Sequence, residues 1–331
     1  MWFRWNNLMK RREFISLLGA VTLPLRAEAQ QASIPTVGFL STFSSSPRFE
    51  VAFKTGLAEV GFAEGRDYMI DYSYAEQQYE LLSERARDLV HRSVSAIVAT
   101  GGSLPCRAAK AATTRIPIVF VTGGGDPVRE GLVSSLDRPG GNVTGIRVIS
   151  SSLNVRRLEL LHQLAPKAKT VGVLINPNYG DAASQLRELQ EAAHSMKLSF
   201  IIENVDAKSD VEGIIERLKR ESVDALFVTN DPYTNLRNQI ISLCERYGLP
   251  AIYFTRDYPT AGGLVSYGAD FADAHRQAGI YIGRILKGES VAVLPVISPK
   301  KVELIINLKV ARSLNLTVPE RLLHLADEVI E

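Results

Sequence analysis

Two cysteines and five histidines carry the side chains best suited to covalent or metal chemistry in this chain. A thiolate base must stand at a strand end beside a cleft, with a lowered pKa. Cys106 meets the positional condition, whereas Cys244 lies inside the amphipathic run Leu236, Ile240, Ile241, Leu243 and Tyr247, which makes it a helix-core thiol. His91, His162, His194, His275 and His324 are scattered over predicted helices without ligand or triad spacing, so surface or core placement is expected for each. Gly123-Gly124-Gly125 is followed by no Lys-Ser/Thr, and no Gly-x-Gly-x-x-Gly opens a helix after a first strand, which argues against a nucleotide site. No catalytic residue, metal site or cofactor is expected.

What remains is non-covalent chemistry in polar loops that follow predicted strands. In the first half these are Ser41-Thr42-Phe43, Thr100-Gly101-Gly102-Ser103 and the stretch from Thr122 to Asp126. In the second half they are Asn176-Pro177-Asn178-Tyr179, Thr229-Asn230-Asp231-Pro232-Tyr233 and Thr255-Arg256-Asp257. Hydroxyls and amides both donate and accept, glycines let a ligand approach the backbone, and Asp126 or Asp231 can neutralise an ammonium group. The same residue types are also ordinary turn and cap residues. Tyr179, Tyr233, Tyr253, Phe254 and Tyr267 stand at or just after strand ends, as does Phe43, and suit stacking on a flat ligand or packing at a hinge. No arginine occupies the leading loops, and Arg256 is the nearest candidate to clamp a carboxylate.

The elements that must position these loops are read from an internal repeat. Val37–Leu40 is echoed by Val171–Leu174, Val94–Thr100 by Val223–Thr229, and Ile116–Thr122 by Leu249–Thr255, in the same order. The offset is about 130 residues each time, which points to two copies of one fold. Short β-branched runs alternate with longer amphipathic runs, the pattern of βαβ units and a parallel sheet. Ser46-Pro47 reads as a helix start, with Phe49, Phe53, Leu57 and Val60 facing a sheet; Asp181, and Ser209 or Asp210, are candidate caps for later helices.

The expected fold is therefore α/β, with two doubly wound parallel-sheet lobes joined by a multi-strand hinge. After residue 260 a strand at Gly263–Tyr267, a helix from about Asp270 to Leu286 and a further strand and helix remain. They fit if the chain returns to the first lobe and then crosses again. The boundaries expected are 34–146 plus 262–290 for the first lobe, and 147–261 plus 291–331 for the second.

The N-terminus reads as an export signal over residues 1–29: a basic patch at Lys10, Arg11 and Arg12, an apolar stretch from Phe14 to Leu25, and small residues at Ala27 and Ala29. The arginine pair followed by Phe14 and Ile15 resembles a twin-arginine signal, with a general secretory signal as the rival. Cleavage near Ala29 places the mature chain in the periplasm. It removes five basic and two acidic side chains and takes the formal charge from +2 to −1. Without a basic stripe, nucleic-acid binding has no electrostatic basis. The two cysteines fall in different lobes and are expected as free buried thiols.

The segment IPIVFVTGGGDPVREGLVSSLDRPGGNVTGI at Ile116–Ile146 resembles the tryptophan-receptor-like group of ABC-transporter substrate-binding proteins. The resemblance extends through LAPKAKTVGVLINP (Leu164–Pro177), VDALFVTNDP (Val223–Pro232), AGGLVSYGAD (Ala261–Asp270) and the C-terminal segment that begins LPVISPKK. It implies the type I periplasmic-binding-protein fold, two lobes joined by three strands, and a pocket that uses Ser41, Thr100, Gly101, Asp126, Asn176, Asn230, Asp231 and Tyr267. Some members resemble receptors for aromatic amino acids.

The function expected is the solute-binding component of an ABC importer. It is expected to be a monomer that closes around an amino acid, aromatic ones included, or a related carboxylate, and presents it to a permease in the inner membrane. The candidate ligand-binding residues are Ser41, Thr42, Phe43, Thr100, Gly101, Gly102, Thr122, Asp126, Asn176, Asn178, Tyr179, Asn230, Asp231, Tyr253 and Tyr267. Two alternatives remain: a ligand sensor for a membrane receptor, and a two-cysteine enzyme resembling cofactor-independent amino-acid racemases.

Overall fold

The computed structural model describes residues 34–331 except 124, 149–152, 178–181, 207, 230–235 and 300. The export-signal reading of residues 1–29 and the cap expected at Asp181 lie outside the described residues.

The first half runs β1 (Thr36–Ser41), α1 (Pro47–Glu59), β2 (Met69–Tyr74), α2 (Leu82–His91), β3 (Ala96–Thr100), α3 (Ser103–Ala112), β4 (Ile118–Thr122) and β5 (Val143–Arg147). Its strands form one parallel sheet in the order β2-β1-β3-β4-β5. The unbroken apolar runs of β1, β3 and β4 require cover on both faces, because alternate side chains point to opposite sides. Phe39, Val98 and Val119 share one core with Phe53 and Leu57 of α1. Leu40, Ile97 and Phe120 share another with Leu89 of α2 and Cys106 of α3. Phe53 and Leu57 are fully buried, and each such side chain contributes about 1.5–3 kcal/mol relative to exposure.

The second half continues α4 (Asn154–Leu164), β6 (Thr170–Ile175), α5 (Ala182–Met196), β7 (Ser199–Asn204), α6 (Val211–Arg220), β8 (Ala225–Val228), α7 (Arg237–Arg246), β9 (Ala251–Tyr253), α8 (Asp257–Thr260) and β10 (Val265–Ala269). After α9 (Phe271–Leu286) come β11 (Val302–Asn307), α10 (Leu308–Ser313), α11 (Glu320–Leu325) and β12 (Glu328–Ile330). The second sheet has the order β12-β11-β10-β9-β8-β6-β7, with β10 and β11 antiparallel and the remaining pairs parallel. Its β7-β6-β8-β9-β10 portion has the same order as β2-β1-β3-β4-β5, and the three sequence repeats fall on β1/β6, β3/β8 and β4/β9. Asp210 caps α6 by accepting from the Gly213 N–H at 3.1 Å. Cys106 and Cys244 are free and buried in separate cores.

The chain passes between the sheets after β5, at Asp270, and again between Ile297, which is held by the first sheet, and Val302, which begins β11 of the second. These points differ from the sequence boundaries near 262 and 290. β10 pairs with β9 and so stays with the second sheet. Residues through Ile297 stay with the first: Thr144 Oγ1 donates to the Leu294 carbonyl, Val296 N to Leu136 O, and Arg147 N to Ile297 O. α9 packs on α1, and the approach is close because both carry glycine there: a Cβ on Gly56 would lie 1.8 Å from the Arg276 carbonyl oxygen, and one on Gly279 2.1 Å from that of Phe53.

Candidate interlobe binding site

A cleft of about 440 Å³ lies where the carboxyl ends of β1 and β3 face the segment after β9. Ser41, Phe43, Thr100, Gly101 and Gly102, all candidates by sequence, line it from the first half. Phe254, Thr255, Asp257 and Arg237 line it from the second, and Phe271 and His275 of α9 close it from the crossing. Gly101 has a φ of +92°, and a Cβ there would lie 2.9 Å from that of Thr42, so only glycine suits this turn.

Several sequence candidates fall elsewhere. Thr42, Thr122 and Asn176 are buried at strand ends without lining the cleft. The Thr42 backbone joins loops, donating to Thr100 O at 3.2 Å and accepting from Gln77 N at 2.6 Å. Asp126, expected to meet an ammonium group, instead accepts from the N–H groups of Val128 and Arg129 at 2.9 and 3.4 Å, so it closes its own turn. Tyr253 is fully buried, stacked on Tyr258 at 4.3 Å, while Phe254 just beyond the strand end reaches the cleft. Tyr267 packs against the α4 side of the second sheet. Asn178, Tyr179, Asn230 and Asp231 lie outside the described residues. Arg256 is taken up by Glu303 at 2.7 Å and by Glu328, so it is not the free clamp that the sequence offered. Among the described residues Arg237 is the arginine that lines the cleft.

The sequence reading missed a group of residues around α1 and α9. Phe49, read as sheet-facing, lies against His275 with ring centroids 4.4 Å apart and planes within 1° of parallel. His275 Nε2 is 2.8 Å from Thr100 Oγ1 and Nδ1 is 2.7 Å from the Phe271 carbonyl oxygen. Burial pushes the imidazole pKa down to about 4; the Phe271 carbonyl raises it and the Arg48 charge lowers it further. The clue in sequence was the spacing of Phe271 and His275, one helical turn apart behind the capping Asp270.

Glu50 also lines the cleft. Its Oε1 accepts from Ser45 Oγ at 2.6 Å, Tyr74 Oη at 2.6 Å and Ser46 N at 3.1 Å. Burial raises the carboxyl pKa, but the hydrogen bonds from Ser45, Tyr74 and Ser46 and the charge of Lys54 outweigh it and hold Glu50 below its ordinary value. Beside the cleft-lining Pro47 and Phe49, the Arg48 guanidinium meets Asp257 at 3.2 Å and Asp270 and Glu303 at 3.3 Å.

The arrangement suits binding rather than covalent chemistry. Burial pushes the thiols of Cys106 and Cys244 up to about 12, which removes the thiolate pair that the enzyme alternative needs. Among the described residues no group of three or more His, Cys, Asp or Glu is placed to hold a metal. Nor is any described helix long and apolar enough to cross a membrane.

Comparison with known proteins agrees with this geometry. The family model described as ABC transporter substrate binding protein matches residues 46–330. A tyrosine-binding protein of Clostridioides difficile (strain R20291) is 30% identical over 267 residues, covering 80% of this chain and 75% of the relative. An ABC domain from Streptococcus pneumoniae, solved in complex with L-Trp, superposes with a TM-score of 0.79 at 26% identity over 90% of this chain and 100% of that one. The ligand-free, open structure of a Clostridium difficile substrate binding protein with adhesive properties gives 0.64 at 25% identity over 90% and 99%. With paired α/β sheets, a cleft between them, a family match over residues 46–330 and a tyrosine-binding relative at 30% identity, this chain belongs to the ABC transporter substrate-binding protein family.

Proposed function

We propose that this chain is the periplasmic receptor of an ABC importer, exported with cleavage near Ala29, and that as a monomer it captures an aromatic amino acid by closure of its two halves. The observation that carries the reading is the wall of rings from both halves: Phe43 and Phe49 face the cleft from the first, Phe254 from the second, and Phe271 from the crossing. Its volume of about 440 Å³ suits a small ligand. Arg237 offers a guanidinium to a carboxylate, and Glu50 and Asp257 offer negative charge to an ammonium group.

Two comparisons support this reading. The relatives named above bind tyrosine and L-Trp. At nearly equal identity the chain superposes better on the L-Trp complex than on the open, ligand-free protein, which supports a closed arrangement here. Closure on a bridging solute shifts the open–closed equilibrium by the contacts made only when closed, and the closed face is then what a membrane permease recognises.

Isothermal titration calorimetry with L-tyrosine, L-tryptophan, L-phenylalanine, L-leucine and L-glutamate tests the proposal. The aromatic amino acids are expected to bind the wild type more tightly than the others. Phe49→Ala is expected to weaken them by about two- to tenfold, the range of one aromatic pair. Preference for an aliphatic or acidic amino acid would defeat the reading.

A further inference from the structure

Thr100 and His275, 175 residues apart in sequence, form a buried pair at the cleft wall. The direction of their hydrogen bond follows from the other side of the ring. Nδ1 is 2.7 Å from the Phe271 carbonyl oxygen, which only accepts, so Nδ1 carries the ring proton. Burial keeps the ring neutral, its pKa pushed down to about 4, so Nε2 holds a lone pair. The Thr100 hydroxyl, 2.8 Å away, therefore donates to Nε2. Stacking on Phe49 at 4.4 Å and on Phe39 at 6.4 Å opposes the ring flip that would exchange the two nitrogens.

A threonine hydroxyl has one proton to give. With that proton committed to His275, a ligand at Thr100 meets only lone pairs. We propose that His275 is a positioning residue for ligand selection: it makes Thr100 a pure acceptor, so that the cleft selects solutes with an N–H donor there, the ammonium group of an amino acid, over the same skeleton without it. This rests on the reading that the cleft is the ligand site. A buried acceptor left without a donor is penalised, so the pair rejects the wrong ligand as well as holding the right one.

The probes are L-tryptophan and indole-3-propionic acid, which differ by the ammonium group. Titration calorimetry on the wild type, His275→Phe, Thr100→Val and Thr100→Ser measures the preference between them. His275→Phe keeps a ring against Phe49 but frees the Thr100 proton, and is expected to reduce the preference about tenfold. Thr100→Val is expected to do the same and Thr100→Ser to retain it. Nitrogen-15 spectra of the wild type are expected to show a neutral ring protonated at Nδ1; protonation at Nε2 overturns the proposal even if His275→Phe fails to fold. If Phe49→Ala weakens binding while the preference survives both His275→Phe and Thr100→Val, the proposal falls alone. If neither probe binds, or Phe49→Ala changes nothing, the cleft reading falls with it.

Discussion

The Arg48 guanidinium of α1 stands 3.2 Å from the carboxylate of the cleft-lining Asp257 of α8, an ion pair between residues 209 apart that ties the first half to the second. The same group reaches Asp270, which caps α9, and Glu303 of β11, both at 3.3 Å. Lys301 balances Asp270 at 2.8 Å and Arg256 balances Glu303 at 2.7 Å. One cation of the first half thus faces three carboxylates that belong to the second half or to the crossings.

Removing that cation takes away the attraction that ties the first half to these carboxylates and so favours separation of the halves. Arg48 and Asp257 are each about a third exposed, so solvent screens the pair and each contact is worth about 0.5–1 kcal/mol. Arg48→Ala is therefore expected to weaken ligand binding by about two- to fivefold. The loss should shrink at high ionic strength, because salt screens the pair in the wild type as well. Titrations at low and high salt measure both effects; equal affinity of wild type and variant at low salt would remove the latch role.

Acid stability follows from His275. Its pKa is lowered in the folded protein, so the stability it supports is fully present above the ordinary value of 6.5 and is lost as pH falls toward about 4, where the folded ring also protonates. In that window the unfolded chain binds a proton that the folded chain refuses, and the loss reaches about 3 kcal/mol. Asp270, held below its ordinary value by Lys301, the Asp273 N–H and Arg48 against the opposing effect of burial, adds a further loss at lower pH. Urea unfolding across this range is expected to show a midpoint that drops steeply in the wild type and less steeply in His275→Gln. Parallel profiles would refute the assignment.

The doubled framework was legible because a strand buried on both faces must be apolar throughout, and two copies of one sheet repeat the same three runs. The first-half loops were legible for a related reason: Ser41 and Thr100 end strands whose carboxyl ends define the edge, and Phe43 follows just beyond β1. What sequence could not show were relations that depend on distant chain or on local capture. Phe271 and His275 reach the cleft only because α9 crosses back to pack on α1. Asp126 has the chemistry of an ammonium partner, yet two backbone N–H groups in its own turn claim it first. At the end of β9 the buried Tyr253 and the cleft-lining Phe254 are adjacent in the chain, a one-residue distinction finer than a repeat alignment resolves.

Thiol reactivity distinguishes binding from catalysis at the two cysteines. Both are buried, and burial pushes each thiol up to about 12, so the thiolate fraction near neutral pH is negligible. Neither is expected to react with a disulfide reagent in the native protein, and both should react once it is unfolded. Cys106→Ala should leave ligand affinity unchanged, since Cys106 belongs to the core against α2. Fast labelling of Cys106 in the native state would count against this assignment.

The α1–α9 contact links stability to the shape of the cleft. An alanine at 56 would bring its Cβ to 1.8 Å from the Arg276 carbonyl oxygen, and one at 279 would reach 2.1 Å from that of Phe53. Both obstacles are backbone, so no side chain can swing aside and the helices must part. Alanine is favoured over glycine by about 1 kcal/mol within a helix, but overpacking costs about 1–3 kcal/mol and loosens the burial of Phe53 and Ala278 as well. Gly56→Ala is therefore expected to lower the unfolding free energy despite its better helix propensity. Because α1 carries Phe49 and Glu50 and α9 carries Phe271 and His275, parting the helices also displaces one wall of the cleft. Affinity for the ligand should then fall together with stability, measured by titration and denaturant unfolding on the same preparation. A Gly56→Ala protein with wild-type stability and affinity would mean that the two backbones do not meet as closely as the structure places them.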